Sequence, residues 1–587
     1  MHAHRPVIMA TEHALSAGHY LASQVGYAVL EGGGNAVDAG VAAGMALGVV
    51  QSDLVNFAGV APIIVRMAET GQVVSIDGLG TWPKALDPEL FMREHGGTMP
   101  ESILRTVMPA APDAWLTALE RFGTMTFAEV AEGALRLARD GYAADQWMCE
   151  YISGHEAGYR RWPQNAAIYL PGGRPPRPGD HFVQRDLGRT IQHMIDQERA
   201  NGMRGRIAGI RAARDAFYRG DIAAAIADYH RDHGGLVTRE DLASFKVRLE
   251  PTVVGRFRGL DVHCCGPWSQ GPALAQTLAL LDGLDLEGMG HNSLDYVHAF
   301  AGVLALAFAD RERWVADPAF FDVPLPEMLA PDYLEARRAL LDPARAFDGF
   351  APPGDPLRGL ATLDTPPSWS DGAGDTLTDA HDSRPRGSVE ASVGDTSYVC
   401  VVDRDGNAFS ATPSDVASES PVIPGFGFCP SSRGSQSRPD PRHPSGVAPG
   451  KRPRLTPNPA LALRDGKPYL VFGTPGGDVQ IQAMAQTLAN IVCHGMDPQA
   501  AIEAPRFATY AYASSFAPFE SNPGLLALEG RIPTAVHDGL RARGHDVESW
   551  PEWTRKAGAV CAIEVAESPR LLRAGADPRR GAYALGR

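Results

Sequence analysis

The sequence predicts an α+β fold, in which strands and helices both build one globular unit. Residues 397–402 are a β-branched and aromatic run, and residues 408–412 resume as a second strand after the turn signal Asp405-Gly406. Residues 479–492 instead repeat their apolar side chains at helical spacing. Of the whole chain, 44% is hydrophobic and 21% is charged, which is typical of a folded protein.

The remaining elements follow from periodicity and from capping residues. Residues 39–50 are a smooth apolar run that is too short to cross a bilayer, so they predict a buried helix with Asn35 as its N-cap. Between the buried helix and about residue 310, the apolar periodicity predicts helices, apart from one stretch whose apolar and polar residues alternate as in a strand. Helices are predicted at 124–139, 187–195, from about 238, and at 292–310; strands are predicted at 253–262 and 469–474.

Two local patterns suggest a ligand at first sight, and neither holds. Gly32-Gly33-Gly34 precedes a helix, but it has neither the GxGxxG nor the P-loop spacing of a phosphate-binding loop. His263-Cys264-Cys265 lacks the second ligand pair of a zinc site, and the seven cysteines contain no CxxC spacing. We therefore expect no metal, no organic cofactor and no disulfide framework.

Charge and termini narrow the class of partners. The formal net charge is -15 and no long basic run occurs, which argues against a nucleic acid or an anionic membrane as partner. The first residues lack a charged segment followed by an apolar core, so no signal peptide is predicted. The expected location is cytoplasmic.

Thr396 stands where the composition changes abruptly. Residues from about 348 to 394 are rich in Pro, Gly, Ser, Thr and Asp and predict a flexible linker, after which the first strand begins at once. If the bond between Asp395 and Thr396 is cut, one residue carries both a hydroxyl nucleophile and an α-amine. Because an α-amine has a pKa of about 7.7–8.0, part of it is neutral at pH 7 and can take the hydroxyl proton.

A series of further motifs occurs in a fixed order along the chain. They are GGNAVDA at 33–39, ARDGY at 138–142, FYRG at 217–220, GGLVT at 234–238, DT at 395–396, VVDRDGNA at 401–408, PGKRP at 449–453, TPGG at 474–477 and APRF at 504–507. In these motifs the chain resembles the γ-glutamyltransferase family of N-terminal-nucleophile hydrolases. The likeness covers about residues 7 to 565.

The resemblance implies a four-layer αββα sandwich that cleaves itself before Thr396. Residues 1–395 would form the large fragment and residues 396–587 the small one, and the two fragments would stay together. A homodimer of this processed unit is a further expectation that the sequence leaves open.

The family's catalytic roles carry over to residues of the small fragment. Thr396 Oγ1 would attack the scissile carbonyl, and its own α-amine would accept and return the proton. The backbone N–H groups of Gly476 and Gly477 would form the oxyanion hole. Thr412 and Ser414 both fall near the family's second hydroxyl, which hydrogen-bonds the nucleophile, and the sequence does not decide between them.

Substrate recognition departs from that of the transpeptidases. Those enzymes hold the glutamyl α-carboxylate with an arginine and a pair of serines; here the arginine is replaced by Leu79, and the serine pair by Leu455 and Thr456. The acidic residue that meets the substrate's α-amine aligns near Ser435 or Gln436, so this charge is missing as well. An ordinary γ-glutamyl donor therefore fits poorly, since a buried charge needs a partner.

Arg433 offers a positive group in their place. It follows Pro430-Ser431-Ser432 in a long irregular segment, residues 421–457, and a guanidinium there can grip a carboxylate. This resembles the family's oxamate-amidohydrolase branch, whose acyl group is small and carries its own carboxylate. The alternative is that Arg433 is a solvated loop residue, since this segment is rich in arginine.

The leading interpretation is thus an autoprocessing amidohydrolase or acyltransferase that acts on a small amide bearing a carboxylate. Three alternatives remain open: a γ-glutamyl hydrolase or transpeptidase acting on glutathione-type amides, a biosynthetic member that removes an oxalyl-type group, and an inactive homologue kept for binding. The sequence does not name the leaving group or decide between hydrolysis and transfer.

Overall fold

Two antiparallel sheets form the centre of the structure, which is a computed structural model that describes residues 3–363, 396–567 and 570–587. Within these residues each sheet has seven strands. The first sheet has the order Tyr583–Gly586, Ala14–Ala17, Val399–Val402, Ala408–Ala411, Ile63–Arg66, Val73–Ile76 and Leu249–Glu250. The second has the order Ile8–Ala10, Arg570–Ala576, Cys561–Glu567, Lys467–Gly473, Ala460–Arg464, Leu260–Cys264 and Val253–Phe257.

The two sheets lie face to face, as the alternation of their side chains shows. In the first sheet Val399 and Val401 belong to an apolar cluster with the helices, whereas Tyr398 and Cys400 belong to a cluster shared with the second sheet. Successive side chains of a strand point to opposite faces, so each sheet has one face on the other sheet and one on helices. The order of layers is helix, sheet, sheet, helix, and the predicted α+β sandwich is confirmed.

Helices cover the outer faces of both sheets. Those in one apolar cluster with the first sheet are Tyr20–Glu31, Ala36–Val50, Ala111–Phe122, Phe127–Asp140, Gln146–Gly154, Glu156–Arg160, Pro163–Tyr169, Arg185–Asn201, Arg206–Tyr218, Asp221–Asp232 and Arg239–Ser244. Those in one cluster with the second are Gly271–Asp282, Leu286–Met289, Leu294–Trp314, Pro331–Arg338, Val479–Val492, Pro498–Glu503 and Thr534–Ala542. Leu90–His95 and Leu325–Met328 pack in smaller clusters.

Shorter elements complete the architecture. A small sheet packs beside the second helix layer, and a two-stranded ribbon lies beside the first. The small sheet has the strands Phe507–Thr509, Leu525–Glu529 and Asp546–Trp550, and the ribbon has Tyr142–Ala143 and His181–Phe182. Among the residues described, no helix is both long and apolar enough to span a membrane.

The helix Ala36–Val50 is buried along its whole length, as the apolar run predicts. Asn35 caps it, and Asp38 completes a capping box by accepting from the Asn35 backbone. Gly40 allows the helix to approach the first sheet, because a Cβ there would lie 2.2 Å from the Phe409 ring. This contact sets the distance between the helix layer and the strand that carries Phe409.

One predicted strand is wrong. Residues 253–262 form two strands, Val253–Phe257 and Leu260–Cys264, which pair with each other. Arg258 and Gly259 make the turn between them with φ of 50° and 76°, both in the left-handed region. Arginine is not a turn signal, so the alternating pattern hid the reversal.

The first part of the predicted linker packs against the protein. Gly354 N–H donates to Asp310 Oδ1 at 2.9 Å, and Trp314 Nε1 donates to the Gly354 carbonyl at 2.9 Å. Asp355 is buried and pairs with Leu360 in an isolated bridge. The structure describes the predicted linker as far as residue 363, and residues 364–394 of the predicted linker, with Asp395, lie outside the described residues.

The turn that joins the strands Val399–Val402 and Ala408–Ala411 is built on the carboxylate of Asp403. Its Oδ1 accepts from the backbone of Asp405 and Asn407, both at 3.0 Å. Its Oδ2 accepts from the Asn407 side chain at 2.8 Å and from Ala36 N at 2.9 Å. Asp403 thereby ties the hairpin to the first turn of the buried helix.

We expect Asp403→Ala to lower the free energy of unfolding by about 2–3 kcal/mol, because it leaves buried N–H groups without acceptors. The exposed Asp405 of the same turn provides the matched control, and Asp405→Ala should cost less than about 0.5 kcal/mol. Denaturation midpoints measure both. Equal midpoints for the two variants would contradict this role of Asp403.

Candidate active site

The register of the central hairpin brings Thr396 opposite Ser414. Val399 pairs with Ala411, and the same register, continued outward by three residues on each strand, forms an isolated bridge between Thr396 and Ser414. Directly opposite side chains of an antiparallel pair lie close together. Thr396 Oγ1 and Ser414 Oγ are 2.7 Å apart, and both residues are buried.

Thr412, the other hydroxyl that the sequence offers, does not share this contact. In the same register Thr412 lies opposite Tyr398 rather than Thr396. Its Oγ1 is buried and has no hydrogen-bond partner among the described residues. Of the two predicted hydroxyls, Ser414 is therefore the one that the structure places beside Thr396.

Arg433 lies on the far side of Ser414. It begins the short 3-10 turn Arg433–Gln436 and is only 2% exposed, so the alternative of a solvated loop arginine is wrong. Arg433 Nη2 donates to Ser414 Oγ at 2.5 Å, and Arg433 Nε lies 3.9 Å from Asp415 Oδ2. The guanidinium carbon is 5.5 Å from the centre of the Phe516 ring.

The carboxylate of Asp415 shapes the turn that carries Arg433, a role that the sequence does not reveal. Its Oδ2 accepts from Ser431 Oγ at 2.5 Å, and its Oδ1 accepts from the backbone and hydroxyl of Ser432 at 3.1 and 2.7 Å. Asp415 itself has φ of 131°, a conformation that L-residues rarely adopt. The strain is held by these bonds, which fix Arg433 next to Ser414.

The hydrogen bonds that link Thr396, Ser414 and Arg433 have a direction that the donor groups determine in part. A guanidinium only donates, so Ser414 Oγ must accept from Arg433. Ser414 Oγ also lies within hydrogen-bonding distance of Thr396 Oγ1, and either hydroxyl can donate in that pair. When Ser414 donates, it places a hydrogen on the Thr396 oxygen as negative charge develops there.

Two glycines lie in the turn that follows a strand of the second sheet, Lys467–Gly473. The strand Lys467–Gly473 passes close to the segment that follows Thr396, because a Cβ on Gly473 would lie 2.3 Å from the Tyr398 ring. Gly476 and Gly477 follow with φ of 124° and 56° and are both buried. Among the described residues neither N–H has an acceptor, so both can donate to an oxyanion.

A buried glutamine forms a hydrogen bond with the backbone of this glycine turn. Gln270 Nε2 donates to the carbonyl of Gly477 at 3.1 Å and to the carbonyl of Thr456 at 2.7 Å. Holding the Gly477 carbonyl on this side constrains the orientation of the turn. Sequence reasoning missed Gln270, since the contact joins segments that are far apart in the chain.

Asp478, the residue after the glycine pair, connects the turn to a distant segment. It accepts from Ser515 N at 2.9 Å and from Ser515 Oγ at 2.6 Å. It also accepts from the fully buried Arg311. An ion pair with these extra donors is the arrangement that makes a buried carboxylate tolerable.

Leu79, Leu455 and Thr456, which the sequence analysis expects at the positions of the transpeptidases' carboxylate ligands, are apolar or neutral. Leu79 and Leu455 are buried in the same cluster as Tyr398, between the two sheets. Thr456 is also buried, and its Oγ1 accepts from Gln436 Nε2 at 3.0 Å. Leu79, Leu455 and Thr456 carry no positive charge, in contrast to Arg433.

The other buried arginines of residues 421–457 serve to hold the segment in place. Arg438 and Arg454 both contact Glu312, and Arg452 contacts Asp317 at 2.9 Å. Burial alone raises the pKa of Glu312, but the two guanidinium groups outweigh it and lower the pKa well below its usual range. Glu312 is therefore charged, and the irregular segment is tied to the helix Leu294–Trp314.

A sandwich of two antiparallel sheets between helical layers, with a hydroxyl residue leading a central strand, defines an N-terminal-nucleophile hydrolase. The profile described as gamma-glutamyltranspeptidase matches residues 22–586, and the chain belongs to this family. It is accordingly an enzyme of amide hydrolysis or acyl transfer, and the names of its relatives as proenzymes imply autocatalytic cleavage.

Three relatives illustrate the range of the family. The acylase ACY 1 proenzyme of Pseudomonas sp. (strain SE83) is 32% identical, covering 93% of this chain and 88% of its own. The glutathione hydrolase-like YwrD proenzyme of Bacillus subtilis is 28% identical over 99% of both chains. The oxamate amidohydrolase proenzyme of Klebsiella pneumoniae is 27% identical over 97% of both. A solved structure, that of LmbA2991HD, superimposes with a TM-score of 0.91 at 33% identity over the full length of both chains.

We expect Ser414→Ala to lower kcat about ten- to a hundredfold with little change in KM, because the lost hydrogen bond acts on the developing charge of Thr396. Thr412→Val is the matched control: it removes a buried hydroxyl two residues away that does not contact Thr396, and it should change kcat less than about threefold. Steady-state kinetics of the two variants decide. A similar loss of kcat in both variants would show that the hydrogen bond between Ser414 and Thr396 has no specific role in catalysis.

Proposed function

We propose that the enzyme cleaves amides of a small acyl group that carries its own carboxylate, with Thr396 as nucleophile and Arg433 as the ligand of that carboxylate. The observation that carries the proposal is the buried guanidinium of Arg433 on the hydroxyl that touches Thr396. It is supported by the oxamate amidohydrolase among the relatives.

The reaction would begin with cleavage of the precursor before Thr396. Its Oγ1 attacks the preceding carbonyl, and the peptide C–N bond breaks as the ester forms, which frees the α-amine of Thr396. Water then hydrolyses the ester and releases the Thr396 hydroxyl and the carboxylate of the preceding residue. In each turnover this amine takes the Thr396 proton as Oγ1 attacks the substrate amide. Gly476 and Gly477 N–H groups bind the oxyanion, and the proton passes to the leaving amine. Water or an acceptor amine then releases the acyl group.

The distances favour a short acyl group. The bonds from Thr396 Oγ1 to Ser414 Oγ and on to Arg433 Nη2 measure 2.7 and 2.5 Å, so nucleophile and guanidinium are at most about 5 Å apart. The scissile carbon bonds to Oγ1, and a carboxylate oxygen lies about 2.9 Å from its guanidinium donor. These two requirements leave room for a carboxylate close to the scissile carbonyl rather than at the end of a long chain.

A γ-glutamyl substrate is the second candidate, and the relative described as a glutathione hydrolase-like proenzyme favours it. Its head group carries both an ammonium and a carboxylate several bonds from the scissile carbonyl. Leu79 and Leu455, which the sequence analysis expects at the positions of the transpeptidases' ligands for this head group, are apolar and buried. An uncompensated buried charge costs several kcal/mol, and we therefore place this substrate second.

We expect Arg433→Ala to lower kcat/KM for a carboxylated amide about ten- to a hundredfold, as for a lost charge-assisted hydrogen bond of roughly 1.5–3 kcal/mol. The neutral methyl ester of the same amide should lose much less. Arg433→Lys should recover part of the loss, because an ammonium keeps the charge without the planar fork.

Kinetics with oxamate-type and γ-glutamyl amides, in acid and ester form, measure the effect. Arg442→Ala serves as control, because Arg442 belongs to the same segment but is exposed and paired with Asp440. An unchanged ratio between acid and ester in Arg433→Ala would refute the proposal. A wild-type preference for γ-glutamyl amides would favour the second candidate.

A further inference from the structure

A small hairpin covers Arg433 from a part of the chain that the mechanism does not use. Ala513 and Ser521 pair in an antiparallel bridge, and Ser514 N donates to the Glu520 carbonyl at 2.9 Å. We call residues 513–521 the covering hairpin. Its two aromatic side chains, Phe516 and Phe519, are both largely buried.

The covering hairpin spans the distance between the two halves of the site. Ser515 is bonded to Asp478, which directly follows the glycines of the oxyanion turn. The next residue, Phe516, places its ring 5.5 Å from the guanidinium carbon of Arg433. Consecutive residues of the hairpin therefore contact the oxyanion side and the carboxylate side.

An acyl group must cross the same gap. In the proposed reaction its carbonyl oxygen binds the N–H groups of Gly476 and Gly477 and its carboxylate binds Arg433, so its carbon chain would run beside residues 515 and 516. The hairpin is anchored on both sides of Phe516, since Ser515 is bonded to Asp478 and Ala517 N donates to the Ser435 carbonyl at 2.9 Å. A ring held in this way is a rigid wall, because a packed side chain does not yield without cost.

We propose that Phe516 determines which acyl groups the enzyme accepts, because its ring limits the space beside Arg433 and so excludes longer dicarboxylic chains. The inference rests on the proposed function of Arg433 and adds the residue that sets the length. The Phe516 ring also holds the guanidinium, since a cation favours the face of an aromatic ring.

Phe519 provides an internal control on the same hairpin. Its ring lies 4.1 Å from the guanidinium carbon of Arg438, which contacts Glu312 rather than Ser414. Phe519→Ala therefore removes an equal aromatic group and a similar cation contact without opening the acyl pocket. Any loss that comes from loosening the covering hairpin appears in both variants.

The experiment measures kcat/KM for the p-nitroanilides of oxalic, malonic, succinic and glutaric acid. For Phe516→Ala we expect the glutaryl-to-oxalyl ratio to rise at least about tenfold, because the space of a phenyl group becomes available to the chain. Phe516→Leu should give a smaller rise. Phe519→Ala should leave the ratio within about twofold of wild type.

The outcomes separate this inference from the proposal beneath it. If Phe516→Ala lowers all four substrates by one factor, as Phe519→Ala does, the ring is merely structural and the inference is overturned. That result leaves the function of Arg433 intact as long as Arg433→Ala still loses the preference for acid over ester. If Arg433→Ala keeps that preference, the proposed function fails whatever the Phe516 variants show.

Discussion

The site depends on a buried contact between a guanidinium and two hydroxyl groups. Arg433 is almost fully enclosed, and its hydrogen bond to Ser414 joins it to Thr396. A buried cation is expensive unless its surroundings are fixed and polar. The strained Asp415, with its bonds to Ser431 and Ser432, supplies such surroundings, and the close packing of the central hairpin keeps the three groups in line.

The two sheets contribute different parts of the chemistry. The first sheet presents the candidate nucleophile and its hydroxyl partner through the register of one hairpin. In the second, a strand is followed by the turn with the glycine pair, whose N–H groups face no acceptor among the described residues. Buried side chains such as Gln270 and Asp478 then fix the glycine turn to segments from elsewhere in the chain. Catalysis by such preorganised groups needs this rigidity, because the donors must already be in place when charge develops.

The sequence predicts the main helices and the fold class, whereas strand register and long-range contacts are not predictable from it for physical reasons. Local periodicity and caps predict the buried helix Ala36–Val50 and the helix Val479–Val492 because their signals are short-range. The choice between Thr412 and Ser414 depends on strand register, which local pattern does not determine. The contact of the buried Arg433 with Phe516 joins segments that are distant in sequence, so the composition of this arginine-rich segment left a solvated loop residue open as the alternative.

The most direct test of the account is the chemical identity of the nucleophile after processing. Denaturing mass spectrometry of the wild-type protein reports the cleavage. The same measurement on a sample that is mixed with a carboxylated amide and then rapidly quenched reports the acylation. The account predicts two fragments, the smaller beginning at Thr396 and carrying the acyl adduct on its N-terminal residue, and a single chain for Thr396→Ala. A fully active wild-type chain that remains uncut, or an adduct on another residue, would contradict it.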